Sequence, residues 1–519
     1  MVGQPEQQGT RQSQCEDPFE FQRRCTESRT SEEKRKIARI KRLCEWLMAD
    51  AEFRLALKQY PEKAASLAAE RGLAVDPMSV APLWADGFTT ILPKKTTGQH
   101  PDLDLWVDWV LDIARFRDLL RLEGDPGEHN PRVHAWRRRQ IFRNDMELGP
   151  RNRAITYPLF SYELTLGCSV RCWFCALSAP RLQGIFRYSP ANGRLWRDVL
   201  ETALRVVGPR AARTGVCYHA TEPADNPDYF RFLDDYREVN GILCQTTTAA
   251  AMRNSEWTGR LLDMYERHDS VKSRFSILTL DTLRKVHQTF DPDRMLRIEC
   301  LMHNRESMIF KAHSGRAAQS WNSRWENEYR ARVAEKAGME RPEGTPEPGD
   351  VSVPKGMSGT IACIAGFLVN MVEKTVRLVS PCESSDRWPH GYRIHAEGRF
   401  ETTADYGELI ERFIDEHMPM SLPSGSPVSF RRGLHHEETQ TGFKLASRNR
   451  KVSFSASEAP YRTAGRLIAE GKLNSARILD ALVDAGEDYL VSATVLSDLF
   501  EKGVLEDEPW EDGSRLAYP

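Results

Sequence analysis

The 519-residue sequence has no long apolar run and no excess of charge of either sign. No run reaches the roughly 18 residues that a membrane-spanning helix needs, and the polar residues 1–5 do not resemble a secretory signal. Lys and Arg number 72 and Asp and Glu 74, so the net charge of −2 creates no overall field that would attract nucleic acid. We therefore expect a cytoplasmic protein that binds neither a membrane nor a nucleic acid.

The cysteines lack the even number and regular spacing of a disulfide framework. The chain has 11 of them, whereas small secreted domains are held together by paired cysteines. A chain of this length has room for roughly two to four domains with cores of their own. We therefore expect reduced thiols, as in the cytoplasm. The irregularly spaced positions are Cys15, Cys25, Cys44, Cys217, Cys244 and Cys300.

Three other cysteines, Cys168, Cys172 and Cys175, follow one another at C-x3-C-x2-C spacing. This spacing fits one tight loop, whereas structural zinc usually takes four ligands as two separated pairs. Three thiolates suit a [4Fe–4S] cluster with one open iron, because electron-transfer clusters take a fourth cysteine. The apolar residues 159–165 predict a strand that ends near Gly167, so that the loop leaves its C-terminal end. A chance run of cysteines or a structural metal knuckle is the alternative.

The cysteine loop resembles that of the radical S-adenosylmethionine (SAM) superfamily. In that family the open iron chelates the amino and carboxylate groups of SAM, and the aromatic residue before the third cysteine lies beside the adenine. The resemblance implies one [4Fe–4S] cluster held by Cys168, Cys172 and Cys175, with Phe174 next to the adenine of SAM.

The alternation of strand and helix patterns after residue 159 predicts an α/β fold with a parallel sheet and helical crossovers. For residues 151–318 we expect a partial (β/α)6 radical SAM barrel, with its site at the C-terminal ends of the strands. The candidate strands are residues 159–165, 215–220, 242–248, 274–278 and 296–301. The candidate helices between them are residues 192–207, 228–239, 257–268 and 280–287.

The part of the chain before this fold has a different pattern. Residues 1–29 are polar and aperiodic and are predicted to be a disordered tail. Residues 30–150 are predicted to be helical and to begin with a capping box formed by Thr30 and Glu33. The basic run at residues 137–139 is more typical of a solvated helix face than of a binding patch.

Polar residues at predicted strand ends suit SAM. Glu222, in a Thr-Glu-Pro sequence with Thr221, stands where radical SAM enzymes carry a Gly-Gly-Glu-Pro-like turn whose carboxylate binds the SAM ammonium. The alternative is that Glu222 caps a helix. By position, Thr247, Arg274 and Ser276 supply hydroxyls and a cation for the ribose and carboxylate of SAM.

A linker or long loop is predicted for residues 319–356, which are charged and rich in Pro and Gly, and an extension of the barrel for residues 357–425. Its two apolar strands predict a hairpin, and Cys363 and Cys382 stand at the two ends of it. The hairpin resembles the twitch or SPASM extensions, in which such cysteines ligate an auxiliary cluster. No cysteine follows Cys382, so this region lacks the four thiolates of such a cluster. The two cysteines are then free thiols near the active site, or simply buried apolar residues.

Residues 426–519 have strand patterns followed by short helices. This order resembles the small winged-helix domains that capture the leader of a ribosomal precursor peptide on a strand edge. A DNA-binding winged helix is the competing interpretation, but the acidic side chains of Asp480, Asp484 and residues 506–508 disfavour contact with phosphate. The predicted strands are residues 428–434 and 443–454, and the predicted helices are residues 461–469, 475–484 and 494–502.

Together with residues 385–389, these features resemble the radical SAM peptide epimerases of the polytheonamide (proteusin) type, over residues 159–400. The resemblance implies that a 5′-deoxyadenosyl radical removes the Cα hydrogen of an L-residue in a ribosomal precursor peptide. A cysteine thiol then returns a hydrogen atom from the opposite face, and an external donor such as flavodoxin or ferredoxin supplies electrons. Cys363 and Cys382 are equal candidates for that thiol.

Two other functions are compatible with the same residues. Radical SAM enzymes that make thioether or carbon–carbon crosslinks commonly hold auxiliary clusters, for which the spare cysteines are poorly spaced. A non-catalytic peptide-binding regulator would keep the cluster as a sensor and would form no 5′-deoxyadenosine.

Overall fold

The computed structural model describes residues 16–86, 88, 94–309, 311–320, 360–456 and 460–507. In these residues the chain is a mixed α/β protein with several small sheets. The N-terminal helices are α1 (Pro18–Glu27), α2 (Ser31–Ala49), α3 (Ala51–Gln59), α4 (Ala64–Ala69), α5 (Pro101–Glu123) and α6 (Pro131–Leu148).

The central part alternates between strands and helices, as predicted. Its first elements are β1 (Phe160–Glu163), β2 (Thr165–Leu166), β3 (Gly184–Ile185), α7 (Pro190–Ala212), α8 (Tyr229–Asn240), β4 (Thr247–Thr248), α9 (Ser255–Arg267), β5 (Ser273–Ile277), α10 (Leu280–Thr289), β6 (Ile298–Met302) and α11 (Gly315–Ser320). Its later elements are β7 (Gly366–Asn370), β8 (Thr375–Pro381), β9 (Tyr392–Arg399) and α12 (Thr403–His417).

Parallel pairing links the strands of the central part. One sheet has the order β1-β7-β8-β9, in which β7 runs parallel to β1, and a second sheet has the parallel order β4-β5-β6. Single bridges from Val216 to Ser161 and to Gln245 connect the two sheets, again in parallel. In the described ranges these contacts do not form a closed barrel.

Two of the predicted strands are much shorter in the structure. Residues 215–220 contribute only the bridges of Val216, and residues 242–248 contribute single bridges and the two residues of β4. Cys217 still donates its N–H to the Gln245 carbonyl oxygen over 3.4 Å, whereas residues 218–220 belong to no strand. The apolar pattern located this part of the sheet but overestimated its length, because pairing also depends on the neighbouring strands.

The N-terminal helices and the central sheets share one hydrophobic core. Trp46 of α2 and Trp136 of α6 belong to the same buried cluster as Phe160 of β1 and Phe275 of β5. Burial of large aromatic side chains is a major source of stability. The helices before residue 150 therefore fold against the sheets rather than around a separate core.

The sequence predictions for the N-terminal part are confirmed at one point and wrong at another. The capping box of α2 is present, with the Glu33 N–H donating to Thr30 Oγ1 over 3.2 Å. The prediction of a disordered tail is wrong for α1, which Asp17 caps by accepting the N–H of Phe19 over 2.8 Å. The Phe19 ring packs on Phe116 of α5 with their centroids 6.0 Å apart. The Asp17 cap and the packing of the Phe19 ring thus stabilise α1, although the segment around it is mostly polar.

The predicted hairpin is confirmed as β7 and β8, which pair antiparallel and are joined by a turn in which Lys374 has φ 52°. The linker predicted for residues 319–356 lies outside the described residues, apart from residues 319 and 320 at the end of α11. No helix in the described ranges is long and apolar enough to cross a membrane.

The C-terminal region has its own small core, which includes Phe443, Ile478 and Leu499. The strand predicted at residues 428–434 is wrong: Phe430 forms only an isolated bridge, and the sheet begins after it. The region has an antiparallel sheet in the order β10-β11-β12, followed by helices. The elements are β10 (His435–Glu438), β11 (Gly442–Ala446), β12 (Lys451–Ser455), α13 (Tyr461–Glu470), α14 (Ser475–Asp484) and α15 (Tyr489–Glu501).

The capping box gives a simple prediction about stability. Replacing Thr30 with Ala removes the hydroxyl that accepts the Glu33 N–H, which should lower the free energy of unfolding by about 1 kcal/mol. Chemical denaturation followed by circular dichroism measures this change. Ser66→Ala, at an exposed position of α4 where no N–H is capped, is the control. Equal losses in both variants would contradict the assigned cap.

Candidate functional site

The cysteine loop follows β2 and returns to pair through β3. Gly167 begins the loop with φ 81°, and an added Cβ there would lie 2.3 Å from the carbonyl oxygen of Arg181. The loop is then held by backbone bonds, with Cys168 N–H donating to Pro180 O over 3.0 Å and Cys175 N–H donating to Cys172 O over 3.2 Å. The thiols therefore stand on a tight loop at a strand end, as predicted.

The loop forms one wall of a cavity of about 110 Å³, which we call the cysteine cavity. Residues from the ends of several neighbouring strands form the other walls, so positions far apart in the sequence meet here. Lining residues that were predicted from the sequence are Cys168, Cys172, Cys175, Phe174, Thr221, Glu222, Thr247 and Ser276. Lining residues that were not predicted are Arg171, Leu177, Ala179, His219, Ala249, Arg316 and Ile361.

Glu222 caps a short 3-10 helix, so the cap considered as the alternative is present. The residue is 2% exposed, and its carboxylate accepts the Thr248 hydroxyl over 2.6 Å, the Ala249 N–H over 2.9 Å and the Ala224 N–H over 3.1 Å. Burial raises the pKa of Glu222 above its usual value. A carboxylate has about four lone-pair sites, so capping does not use all of its accepting capacity.

Two polar atoms in the walls of the cysteine cavity have no hydrogen-bond partner in the described part of the chain: His219 Nε2 and Thr247 Oγ1. The His219 side chain is only 4% exposed, and its Nδ1 lies 3.6 Å from Glu163 Oε1. Buried polar atoms are nearly always paired, so these two atoms are available to bind a ligand or a water molecule in the cavity. His219 was missed because its sequence signal, an ionisable residue shortly before Glu222, resembles that of a core histidine.

Phe174 already has an aromatic partner. Its ring stacks on the ring of His303, with centroids 4.0 Å apart and planes 16° apart. Burial lowers the pKa of His303 to about 3, so this ring is neutral. One face of Phe174 is therefore covered, and only the other face or the ring edge remains for an adenine.

Two thiols of the cysteine cavity, those of Cys168 and Cys172, are desolvated. Burial raises the pKa of Cys172 to about 12, with a contribution from the neighbouring Cys168 and Cys175. Burial likewise raises the pKa of Cys168. Thiolates form here only if a positively charged group offsets the loss of water, and a metal centre is such a group.

By its size, the cysteine cavity admits a group larger than a single ion. In the described ranges, no set of three or more His, Cys, Asp or Glu side chains converges so as to hold one metal ion. In a [4Fe–4S] cluster, by contrast, each thiolate binds a different iron, so the sulfur atoms stand apart. The cavity of about 110 Å³ also exceeds by several-fold the roughly 10–15 Å³ that a water molecule needs.

Arg274 does not line the cysteine cavity. Its Nε donates to Glu299 Oε2 over 2.8 Å, and the two residues are direct neighbours on β5 and β6. Burial alone would lower the pKa of Arg274, but the charge of Glu299 outweighs it and raises that pKa. This pairing gives no support to the prediction that Arg274 binds SAM.

The structure gives Cys363 and Cys382 different surroundings. Cys363 is partly exposed, and its Sγ lies 3.4 Å from Tyr218 Oη, which also donates to Gln245 Oε1 over 3.1 Å. Cys382 is 0% exposed and belongs to an apolar cluster with Ile394. Neither lines the cysteine cavity, but Ile361, two residues before Cys363, does.

Comparison of the sequence with known proteins places similar sequences in one family. Residues 428–503 match a family model described as the protein y4wI C-terminal domain. The uncharacterized protein y4wI of Sinorhizobium fredii is 36% identical over 489 residues, which cover 94% of this chain and 91% of that protein. No solved structure matches the chain.

The close approach at Gly167 makes a second prediction. Gly167→Ala adds a Cβ at a φ of 81° that would lie 2.3 Å from the Arg181 carbonyl oxygen, so the cysteine loop has to shift. Gly241→Ala is the matched control, because Gly241 has φ 79° with no atom within 4 Å. The control should lose about 1–2 kcal/mol for its backbone conformation, and Gly167→Ala clearly more. Thermal unfolding midpoints measure the difference, and equal midpoints would show that the contact is absent.

Proposed function

The chain belongs to the y4wI family, and we propose that it is a radical SAM enzyme that converts L- to D-residues in a ribosomally synthesised precursor peptide. One observation carries this proposal: the three thiols of the C-x3-C-x2-C loop share a single cavity with five other residues that resemblance and position assign to SAM. The unpaired atoms His219 Nε2 and Thr247 Oγ1 in its walls support the presence of a ligand.

Under this proposal Cys168, Cys172 and Cys175 hold one [4Fe–4S] cluster. Once loaded and reduced by an external flavodoxin- or ferredoxin-like donor, the cluster with SAM supplies a 5′-deoxyadenosyl radical able to remove a hydrogen atom from the Cα of a peptide residue. The remaining cavity residues bind and orient SAM. They are Phe174, Thr221, Glu222, Thr247 and Ser276.

Several bonds support the cysteine loop from outside. Arg316 donates to Cys172 O over 3.1 Å and to Ala179 O over 2.6 Å. On another side of the loop, Asp225 accepts the N–H of Ser169 over 2.8 Å. These contacts fix the backbone on which the thiols stand, as is needed for a site whose geometry must not vary.

We assign the hydrogen-atom donor to Cys363. Desolvation by surrounding side chains raises the pKa of its thiol, which keeps the S–H bond that donation requires. Its partial exposure gives a peptide access that the fully buried Cys382 lacks. In the step, the Cys363 S–H bond breaks and a Cα–H bond forms, leaving a thiyl radical that one electron from the external donor and one proton convert back to the thiol.

The C-terminal region is the proposed site for the leader of the peptide. Within residues 426–456 and 460–507, its sheet ends in the exposed strands β10 and β12, and β11 alone is paired on both sides. An open strand edge can accept an extended peptide through main-chain hydrogen bonds. This arrangement supports leader capture.

The proposal is tested with the reduced, cluster-loaded enzyme, SAM and a ribosomal precursor peptide, in deuterated water. We expect 5′-deoxyadenosine and D-residues that each carry one deuterium, detected by hydrolysis, chiral chromatography and mass spectrometry. Changing Cys168, Cys172 or Cys175 to Ala should abolish both products and the cluster absorbance. The control is Cys25→Ala in α1, outside the cysteine cavity.

The other outcomes point to the competing functions. A peptide that loses hydrogens without gaining D-residues indicates crosslinking. Iron and bound peptide without any 5′-deoxyadenosine indicate a regulator. Either result would overturn the epimerase assignment.

The donor assignment makes a separate prediction. Cys363→Ala should still form 5′-deoxyadenosine but should lower D-residue formation by at least about tenfold, because no S–H bond quenches the peptide radical; for a lost catalytic step, tenfold corresponds to roughly 1.4 kcal/mol. Cys382→Ala is the matched control and should keep D-residue formation. Both variants are compared in the same deuterium assay, and the reverse pattern would move the donor to Cys382.

A further inference from the structure

The thiol of Cys363 stands at one end of a line of hydrogen bonds. Cys363 Sγ lies 3.4 Å from Tyr218 Oη, and Tyr218 Oη donates to Gln245 Oε1 over 3.1 Å. Gln245 in turn donates from Nε2 to the carbonyl oxygen of Lys272 over 2.5 Å. Three side chains from distant parts of the sequence are thus joined in one line. We call Cys363, Tyr218 and Gln245 the thiol–phenol line.

The direction of these hydrogen bonds is fixed at the far end of the line. A backbone carbonyl oxygen only accepts, so the amide nitrogen of Gln245 faces Lys272 and its Oε1 faces the phenol. Because Oε1 also only accepts, the hydroxyl hydrogen of Tyr218 points to Gln245. The phenol oxygen is then the acceptor for the thiol, so the hydrogen of Cys363 points to Tyr218.

Backbone contacts hold the inner members of the thiol–phenol line in place. Gln245 is 6% exposed, and a parallel bridge joins it to Val216. The carbonyl oxygen of Tyr218 accepts the hydroxyl of Ser161 in β1. The phenol of Tyr218 is therefore attached to ordered backbone at the end of the sheet.

The thiol–phenol line also stands beside the cysteine cavity. Tyr218 directly precedes His219, and Cys363 follows Ile361 by two residues; His219 and Ile361 both line that cavity. The sulfur that is the proposed hydrogen donor therefore contacts a phenol next to the proposed site of SAM.

Under the proposed function, a thiyl radical on Cys363 endangers the product. The S–H bond of a thiol and the Cα–H bond of a peptide have similar strengths, so a thiyl can take the hydrogen atom back from the new D-residue. The O–H bond of a phenol is of similar strength too, but the phenoxyl radical is spread over the ring and reacts slowly with peptides. Transfer of the radical from sulfur to a phenol therefore protects the product.

We propose that Tyr218 returns a hydrogen atom to Cys363 after each inversion. Rotation of the hydroxyl about its C–O bond turns the hydrogen from Gln245 to the sulfur. The Tyr218 O–H bond breaks and the Cys363 S–H bond forms, so the thiyl is reduced and the phenol is oxidised to a neutral phenoxyl radical. One electron from the external flavodoxin- or ferredoxin-like donor and one proton from solvent then restore the phenol. This role rests on the proposed function and on Cys363 as its donor.

Tyr218→Phe removes only the hydroxyl and tests this role in the deuterium assay. The first D-residue formed per enzyme should appear at the normal rate, because Cys363 still carries its hydrogen. Later D-residues should form at least about tenfold more slowly, since the thiyl has lost its fast route to the thiol. Rapid-quench measurements separate the first turnover from the later ones. Equal slowing of both would show a merely structural role and would overturn the proposal.

Tyr406→Phe is the matched control. The hydroxyl of Tyr406 is also buried, and it has no hydrogen-bond partner in the described part of the chain. Its ring packs on Phe400 beside α12, with the centroids 5.1 Å apart. This variant should keep the normal rate in every turnover, and unfolding midpoints confirm that both variants fold.

A second measurement needs neither the cluster nor SAM. In the cluster-free full chain, nitrosation of Cys363 followed by photolysis breaks the S–N bond and leaves a thiyl radical and nitric oxide. Electron paramagnetic resonance should then show a tyrosyl radical, and its signal should narrow when the protein carries ring-deuterated tyrosine. The signal should be absent in Tyr218→Phe and present in Tyr406→Phe. To direct the nitrosation, the background chain carries alanine at Cys15, Cys25, Cys168, Cys172 and Cys175; apart from Cys363, the other described cysteines are buried.

The two measurements distinguish failure of this proposal from failure of the proposed function. If the unmodified chain forms no D-residues, the proposed function is wrong. If it forms them and Tyr218→Phe forms the later ones equally fast, the role of Tyr218 alone is wrong. A tyrosyl signal of the same size in Tyr218→Phe after photolysis would likewise overturn the role of Tyr218.

Discussion

The candidate site depends on the buried carboxylate of Glu222. It accepts hydrogen bonds from Thr248 and Ala249 at the end of β4 and from Ala224 in its own turn, so it ties two strand ends together beneath the cysteine loop. Leaving buried donors unpaired costs about 1–3 kcal/mol each. Glu222 therefore holds up the cavity wall whatever else it binds. A defect in a Glu222 variant would not by itself identify a SAM contact, whereas Thr247 Oγ1 has no hydrogen-bond partner among the described residues.

Local patterns predicted much of the fold. The capping box at Thr30, the loop that leaves β2 and the hairpin of β7 and β8 each depend on a few neighbouring residues, and the structure contains all of them. The predictions were wrong where contacts between residues far apart in the sequence determine the structure. Residues 215–220 look like a full strand but pair only at Val216, and α1 is ordered by Phe116, nearly a hundred residues away along the chain.

The same distinction applies to the candidate site. The sequence identified the cysteines by their spacing and Glu222 by its position after a strand, and these residues meet in one cavity. It missed His219, because the significance of that side chain lies in an unpaired nitrogen inside the cavity. It also treated Cys363 and Cys382 as equals, since both stand beside the hairpin strands. Packing separates them: strand and cluster contacts enclose Cys382 completely, while Cys363 keeps some exposure.

Helix α6 gives the N-terminal region a role that its composition did not suggest. Its basic run was expected on a solvated face, yet Arg137 and Arg139 are 1% and 2% exposed. Arg137 donates to the carbonyl oxygen of Tyr157, just before β1, and Arg139 lies over the ring of Phe500 in the C-terminal region, 4.3 Å from its centroid. One rigid helix thus contacts both the entry to the first strand and the proposed peptide-binding region. Under the proposed function, a peptide bound to the C-terminal region would be held at a defined position relative to the sheets, which radical chemistry on a chosen residue would require.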